Sequence, residues 1–520
     1  MARAIHRATK GSVRHMRVGI GTQLLDIVSS GMYTEPLMCL REYVQNSADS
    51  LDTAIRRGVL KKGMGEIFVH VDPESRNIRI EDNGCGVSND IVSSVLCDLG
   101  HSNKEGDEKQ RGFRGIGRLG GLGYCDRVVF ETRSGRHERV ANIEWDGHSL
   151  REAVTKRKRT LDLKSLIRKS VRITYLTPKS GEPSRFFRVT MQSVKKFHKD
   201  NLISIPEIRR YLGRVAPIPY DAQAFPYANE IETHVSAVSG YSCHKLYVND
   251  KQLFKPYAHT LEVTQSKQDL IRGVELIDFT EEDGRCIGRG WFSKTDFMGA
   301  FPSRVAMRGI SVRQGNIEVG DEYFLADSFA ERRFCLWQVG EIHLDLSVTP
   351  NARRDGFEQT PSFERFLEQA SVLGRHLSRL CRISSRERCK KLSAERTLGH
   401  IETLLDMPLF VDQKHCFALE RDLRMRLSRL EKDAGDDGYS SEFRKRLDEV
   451  NNRFKIEGLR GGFIFDHLDD RRVSRINRKD LICDICSLIV KEHKKSSSGE
   501  ELIQKIVRPY LWKDYRRNGR

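Results

Sequence analysis

The sequence predicts a mixed α+β protein, with two successive α/β regions followed by a helical carboxy-terminal part. Three observations predict it. Helix-period and strand-period apolar patterns alternate over the first part of the chain, glycine-punctuated strand-like runs dominate the middle, and from residue 362 apolar residues recur at heptad-like spacing among Arg, Lys and Glu. At 520 residues the chain exceeds what one core can serve, since cores stop growing at roughly 250–300 residues. The changes of texture place the expected regions at 1–195, 196–365 and 366–520.

The first helix is expected over 35–57. Leu37, Leu40, Val44, Ala48, Leu51 and Ile55 recur at spacings of three and four, and Gly58 and Gly63 end the pattern. Ile67–Val71 and Ile78–Glu81 read as strands joined by the turn Asp72-Pro73-Glu74-Ser75. Further strands are expected at Arg127–Arg133 and Val171–Tyr175, with the basic segment 154–172 as an exposed connection and 178–183 as a break. In the middle region, Lys245–Val248, Val274–Phe279 and Glu341–Leu346 read as strands. Leu367, Ala370, Leu373, Leu377 and Leu380, then Leu423, Met425, Leu427 and Leu430, predict antiparallel helices. A polar gap at 433–441 interrupts them, and a small helical unit is expected from 457 onward.

Composition narrows the class. Apolar residues make up 38% and charged residues 31% of the chain, as expected of a globular protein with a charged surface. No apolar run reaches the roughly 18 residues that span a bilayer, and the basic segment 1–17 has no apolar core of signal-peptide length; the expected location is cytoplasmic. The formal charge of +17, densest at 156–159 and 386–391, suits polyanionic partners and equally suits a solubilising surface. The 12 cysteines lack framework spacing and read as buried free thiols. Cys483 and Cys486 form a Cys-x-x-Cys pair in an apolar helix-like run; a tetrahedral zinc site would need two further ligands nearby, and core packing is the favoured reading.

Three stretches carry chemistry. Glu42 and Asn46 stand four apart on the first helix, which puts a carboxylate and an amide oxygen on one face. A carboxylate there can polarise water, and an amide oxygen suits hydrated magnesium. The strand ending at Asp82 runs into Asn83-Gly84-Cys85-Gly86; a strand-end acid can accept from an exocyclic amine, and the glycines permit close backbone approach. Gly112 to Gly123 is glycine-rich backbone that can offer N–H groups to phosphate oxygens. It contains no Walker-type Gly-x-x-x-x-Gly-Lys-Ser/Thr and lacks the context of a dinucleotide fingerprint.

In order and spacing, these three stretches resemble the GHKL ATPase superfamily, which includes the ATP-binding part of DNA gyrase, heat-shock-ninety chaperones, histidine kinases and MutL. The resemblance covers residues 20–180 and implies a Bergerat-type α/β sandwich that binds ATP and Mg²⁺. It implies that Glu42 is the general base, Asn46 the magnesium ligand, Asp82 the adenine reader and Gly86 a neighbour of the base. Asp49 would stand at the pocket edge, Gly112, Gly115 and Gly117 would form a lid, and Lys104 would reach a phosphate. The family's Gly-Thr before the last strand is missing near 169–174, where Ser170, Val171 and Thr174 are the available residues. A second, transducer-like domain follows the first, which sets the chain apart from histidine kinases. Within it, Leu346–Glu358 resembles the heat-shock-ninety catalytic loop, so Arg354, or Arg353 beside it, would meet the γ-phosphate. The resemblance points to a homodimeric clamp acting on protein clients. The alternative is a DNA-engaged ATPase of MORC or MutL type, which the basic charge favours.

Overall fold

Helix α1 (Met38–Arg56) forms where the apolar period places it. Its apolar stripe is buried, and so are Arg41, Gln45, Ser47 and Asp49, so the helix is covered on more than the one face that its sequence advertises. The structure, a computed structural model, describes residues 35–97, 117–155, 163–196, 200–351, 354–406, 413–435, 439–457 and Leu459.

Strands β1 (Glu66–Asp72) and β2 (Asn77–Asp82) pair as the expected hairpin, from Ile67 opposite Asp82 to Asp72 opposite Asn77. The Asp72 carboxylate accepts the N–H groups of Glu74 and Ser75 at 3.0 and 3.3 Å and turns the chain. After α2 (Val92–Cys97), a 3-10 turn at Gly117–Gly123 leads into β3 (Cys125–Arg133) and β4 (Val140–Asp146). The segment 154–172, expected to be an exposed connection, carries a helix in its described part, with 156–162 outside the described residues. Helix α3 (Gly147–Thr155) and helix α4 (Leu163–Ser170) precede β5 (Val171–Leu176), and Ile167 packs against the first core. A run rich in Arg and Lys concealed this amphipathic pattern.

Strand β6 (Phe186–Val194) then inserts between β2 and β3. Past helices α5 (Ile205–Val215) and α6 (Ala228–Val235), strands β7 (Lys245–Val248) and β8 (Lys251–Leu253) join the same sheet, β7 running parallel to β1. The eight-stranded order is β5-β4-β3-β6-β2-β1-β7-β8. The first sheet and its core therefore continue beyond residue 195, with Ile208, Leu212 and Val215 of α5 buried in that core.

A two-stranded ribbon, β9 (Thr260–Thr264) and β10 (Lys267–Leu270), precedes the second sheet. That sheet comprises β11 (Gly273–Thr280), β12 (Cys286–Lys294), β13 (Gly309–Gln314), β14 (Ile317–Val319) and β15 (Val339–Leu344), in the order β11-β12-β15-β13-β14. Tyr220, Phe225, Tyr257 and Trp291 cluster in one of its cores, and Phe279, Phe363 and Phe366 in the other. Within the first cluster lies a fully buried ionic group. Glu341 on β15 is 0% exposed; its Oε2 accepts from Lys255 Nζ at 2.7 Å and from the Tyr220 hydroxyl and lies 3.0 Å from His343 Nε2, and its Oε1 is paired by charge with Arg313 Nε at 2.7 Å. Burial alone would push the Glu341 carboxyl up, but Arg313, Lys255 and His343 together hold it well below the usual carboxylate range. Burial lowers the Lys255 ammonium to about 8 and the His343 imidazole to about 4, against the pull of Glu341.

Helix α7 (Pro361–Asp406) supplies Phe363, Phe366, Ala370, Leu377 and Cys381 to the second sheet's core. The chain divides into units Met1–Arg386 and Glu387–Arg520. In the latter, Ala394, Leu398, Ile401 and Leu405 of α7 pack with Leu423, Leu427 and Leu430 of α8 (Gln413–Ala434) and with Phe443, Leu447, Val450 and Phe454 of α9 (Ser441–Glu457). The heptad reading holds, except that Met425 is exposed and lies off the stripe. The expected last unit, with Cys483 and Cys486, lies outside the described residues. Cys39, Cys85, Cys97, Cys125, Cys243, Cys286, Cys335, Cys381 and Cys389 form no disulfide, and no described helix is long and apolar enough to cross a membrane.

Candidate functional site

Along α1 the side chains of Glu42, Asn46 and Ser50 are half-buried, while most of the helix around them is covered. They are four residues apart, so they form one ridge, the partly exposed side of the helix. Glu42 lies 3.5 Å from the Arg41 guanidinium. Asp49 is buried on the same helix. The ridge ends against the last residue of β2: Ser50 Oγ donates to Asp82 Oδ1 at 3.1 Å, and the Gly84 N–H donates to the same oxygen at 3.0 Å.

Asp82 is 1% exposed, and its second oxygen, Oδ2, has no hydrogen-bond partner among the described residues. Burial pushes its carboxyl up to about 7, against the hydrogen bonds from Gly84, Ser47 and Ser50 that pull it down. A buried carboxylate oxygen without a donor costs about 1–3 kcal/mol or more, and such groups in folded proteins generally mark a place where a ligand or water supplies the missing bond. An exocyclic amine is a donor of the right kind.

The loop after Asp82 is fixed by packing. Gly86 has φ +63° and a Cβ there would overlap the Arg133 carbonyl, so only glycine fits. That requirement comes from the neighbouring strand and needs no ligand. The Val87 N–H donates to Thr132 Oγ1 at 2.8 Å, and Thr132 Oγ1 donates to the Phe186 carbonyl at 3.0 Å, which ties the loop to β3 and β6.

Gly117 opens the 3-10 turn, whose far end is pinned to α1 where the Gly121 N–H donates to the Tyr43 hydroxyl at 3.0 Å. Lys104, Gly112 and Gly115 lie outside the described residues, as does Arg353. Arg354 belongs to the loop after β15, apart from the α1–β2 cluster in the sequence of elements. It is 6% exposed with φ +54°, its N–H donates to the Asn351 carbonyl at 3.1 Å, and its own carbonyl accepts from Gly320 at 2.9 Å.

Among the described residues no group of three or more His, Cys, Asp or Glu could hold a metal ion. A magnesium ion at Asn46 would thus be held by one amide oxygen, with nucleotide phosphates and water completing its octahedron, which is the usual arrangement for this ion.

Sequence reasoning missed Ser50, whose hydroxyl donates to the Asp82 carboxylate from the turn of α1 that follows Asn46. It also placed the Gly-Thr position on β5. That strand is at the sheet's edge beside β4; the strand beside Asp82 is β6, with Phe187 directly opposite.

Residues 34–175 match the family described as "Histidine kinase-, DNA gyrase B-, and HSP90-like ATPase". This segment is a GHKL-type ATPase domain. It contains α1, the β1–β2 hairpin and the Asp82 loop, the elements from which the site is built. The chain is 30% identical over 162 residues to the chaperone protein HtpG of Shewanella halifaxensis, a match covering 27% of this chain and 25% of that protein. The HtpG of Shewanella loihica is 31% identical over 141 residues, covering 24% and 22% respectively, and that of Geobacter metallireducens is 28% identical over 142 residues, again covering 24% and 22%. The likeness thus spans about a quarter of the length of these curated relatives.

Proposed function

We propose that the chain is a heat-shock-ninety-like ATPase that hydrolyses ATP to ADP and phosphate and couples lid closure and dimer clamping to action on protein clients in the cytoplasm. The observation that carries the nucleotide reading is the open valence of Asp82 Oδ2 at the end of the Glu42–Asn46–Ser50 ridge. In this reading the adenine amine donates to Asp82, with Asp49 and Gly86 at the edge of that end. Asn46 offers its amide oxygen to Mg²⁺, whose charge would lower the barrier to phosphate release. Glu42, half-buried beside Arg41, takes the proton of the attacking water. Lys104, Gly112, Gly115 and Gly117 cover the phosphates, and Arg354 turns out of its buried position to meet the γ-phosphate in the closed state.

Steady-state turnover of purified protein tests this, with and without plasmid DNA at two salt concentrations. Turnover indifferent to DNA and stimulated by unfolded polypeptide is the expected result. Salt-sensitive stimulation by DNA alone would transfer the reading to a DNA-engaged ATPase of MORC or MutL type, which the +17 charge favours. Glu42→Ala is expected to retain nucleotide and lose turnover; equal turnover in the variant removes Glu42 as base. Arg354→Ala is expected to slow hydrolysis with little change in affinity, and the same loss in Arg353→Ala alone would shift the role by one residue.

A further inference from the structure

Three residues form a row across the inner face of the first sheet: Asp82 on β2, Phe187 on β6 and Thr132 on β3 stand directly opposite one another. Residues opposed in antiparallel pairs project to the same side, so Phe187 shares the face on which Ser50 meets Asp82. Strand β6 is central, with neighbours on both edges. The other residues of that face, Val189 and Met191, are buried under the helical layer, whereas Phe187 is only half-buried. Its ring leans on Phe130 with centroids 6.0 Å apart and keeps part of its surface exposed. The partly exposed ridge of α1 and the half-buried ring of Phe187 thus both adjoin Asp82.

The polar groups of this row are unequal. The Thr132 hydroxyl is already engaged as donor to Phe186 and as acceptor from Val87. Asp82 Oδ2 alone in the row has an open valence, and beside it lies an aromatic ring where a small hydroxyl residue would have offered a second polar contact.

Resting on the nucleotide reading above, we propose that Phe187 is a specificity-determining residue. Its ring walls the base end of the site, so the base is read through a single polar contact at Asp82 and an apolar surface. Adenine, which brings a donor to Asp82 and otherwise only ring nitrogens that water can meet at the Phe187 wall, is accepted. Guanine, which brings a carbonyl to Asp82 and an additional amine, is refused.

Equilibrium titration of the full chain with ADP and with GDP, both with magnesium, tests the assignment. The wild-type chain is expected to bind ADP and to discriminate against GDP. Phe187→Thr is expected to weaken ADP roughly tenfold, the scale of losing one base–aromatic contact, and to narrow the ADP-to-GDP ratio because a hydroxyl now stands at the wall. Phe187→Leu keeps the wall apolar and should keep the ratio. Where Phe187→Thr does not fold, Phe187→Tyr carries the same readout by adding one hydroxyl to the ring. Equal weakening of ADP and GDP would show a packing role and overturn the proposal, as would unchanged affinities. A wild-type chain that binds neither nucleotide would overturn the nucleotide reading itself.

Discussion

Two carboxylates are buried in strands of the two sheets, Asp82 in the first and Glu341 in the second, and they are treated in opposite ways. Glu341 is met by Lys255, Arg313, His343 and Tyr220, and its carboxyl is held low. Asp82 receives hydrogen bonds at one oxygen, faces no cation at contact distance among the described residues, and is pushed up to about 7. Burial is the same in both; compensation differs. A compensated buried acid belongs to the architecture, whereas one left short of a donor stores a cost that a ligand can relieve.

The contrast can be broken most forcefully at Glu341. Glu341→Gln leaves Lys255 and Arg313 buried without their counter-charge and should cost about 3–5 kcal/mol of stability, read by chemical denaturation. A loss under about 1 kcal/mol would mean that the cluster is not a structural unit. Asp82→Asn should act in the other direction on the nucleotide-free protein. Removing the desolvated charge is expected to stabilise it at neutral pH, by at most about 4 kcal/mol, while ADP affinity falls by a factor of ten or more. A variant that is less stable and binds ADP normally would refute both halves.

The pH dependence sharpens the contrast because the two signs differ. Asp82 titrates higher in the folded chain than in the unfolded one, so its stabilisation is fully present below about 3.8 and is lost as pH rises through about 7. Glu341 titrates lower in the folded chain, so its stabilisation is present above the unfolded value near 4.5 and is lost as pH falls through the depressed folded value. Stability differences between wild type and each variant, followed from about pH 2 to pH 8, should therefore slope oppositely for Asp82→Asn between about 3.8 and 7 and for Glu341→Gln below about 4.5. The smallest expected effect is Tyr43→Phe. It removes the hydroxyl that accepts from the Gly121 N–H and should cost about 1 kcal/mol, seen most clearly as faster amide exchange at Gly121.

What was legible in the sequence follows the range of the interactions involved. Helix α1, the β1–β2 hairpin and the Asp82 loop are local, and their periodicity, turn residues and glycines announced them. Strand β6 was not legible. Its outward positions carry Arg188, Thr190 and Gln192, and nothing local says that it inserts between β2 and β3. The pairing of Phe187 with Asp82 joins residues far apart in the chain, so a Gly-Thr expected near 169–174 falls on a strand that does not touch Asp82. Lys255, Arg313 and Glu341 read as surface charges in any one-dimensional pattern, and only their mutual neutralisation explains their burial. Glu42 and Asn46 were legible as a pair because residues four apart on a helix share a face; that Ser50 continues the ridge to Asp82 needed the helix and the strand end to meet.

The parallel pairing of β7 with β1 has a practical consequence for dissecting the chain. A fragment ending at residue 195 would end its sheet at β1, leaving a row of unpaired backbone groups beside the ring of Phe68, which in the whole chain stacks on Tyr247 with centroids 5.1 Å apart. Open strand edges of that kind recruit other chains. A fragment carried through Leu253 keeps β7 and β8 in place and ends the sheet as the whole chain does. Fragments that differ only in this tail should separate into an aggregating and a monodisperse preparation, although both contain the whole Glu42–Asn46–Ser50 ridge.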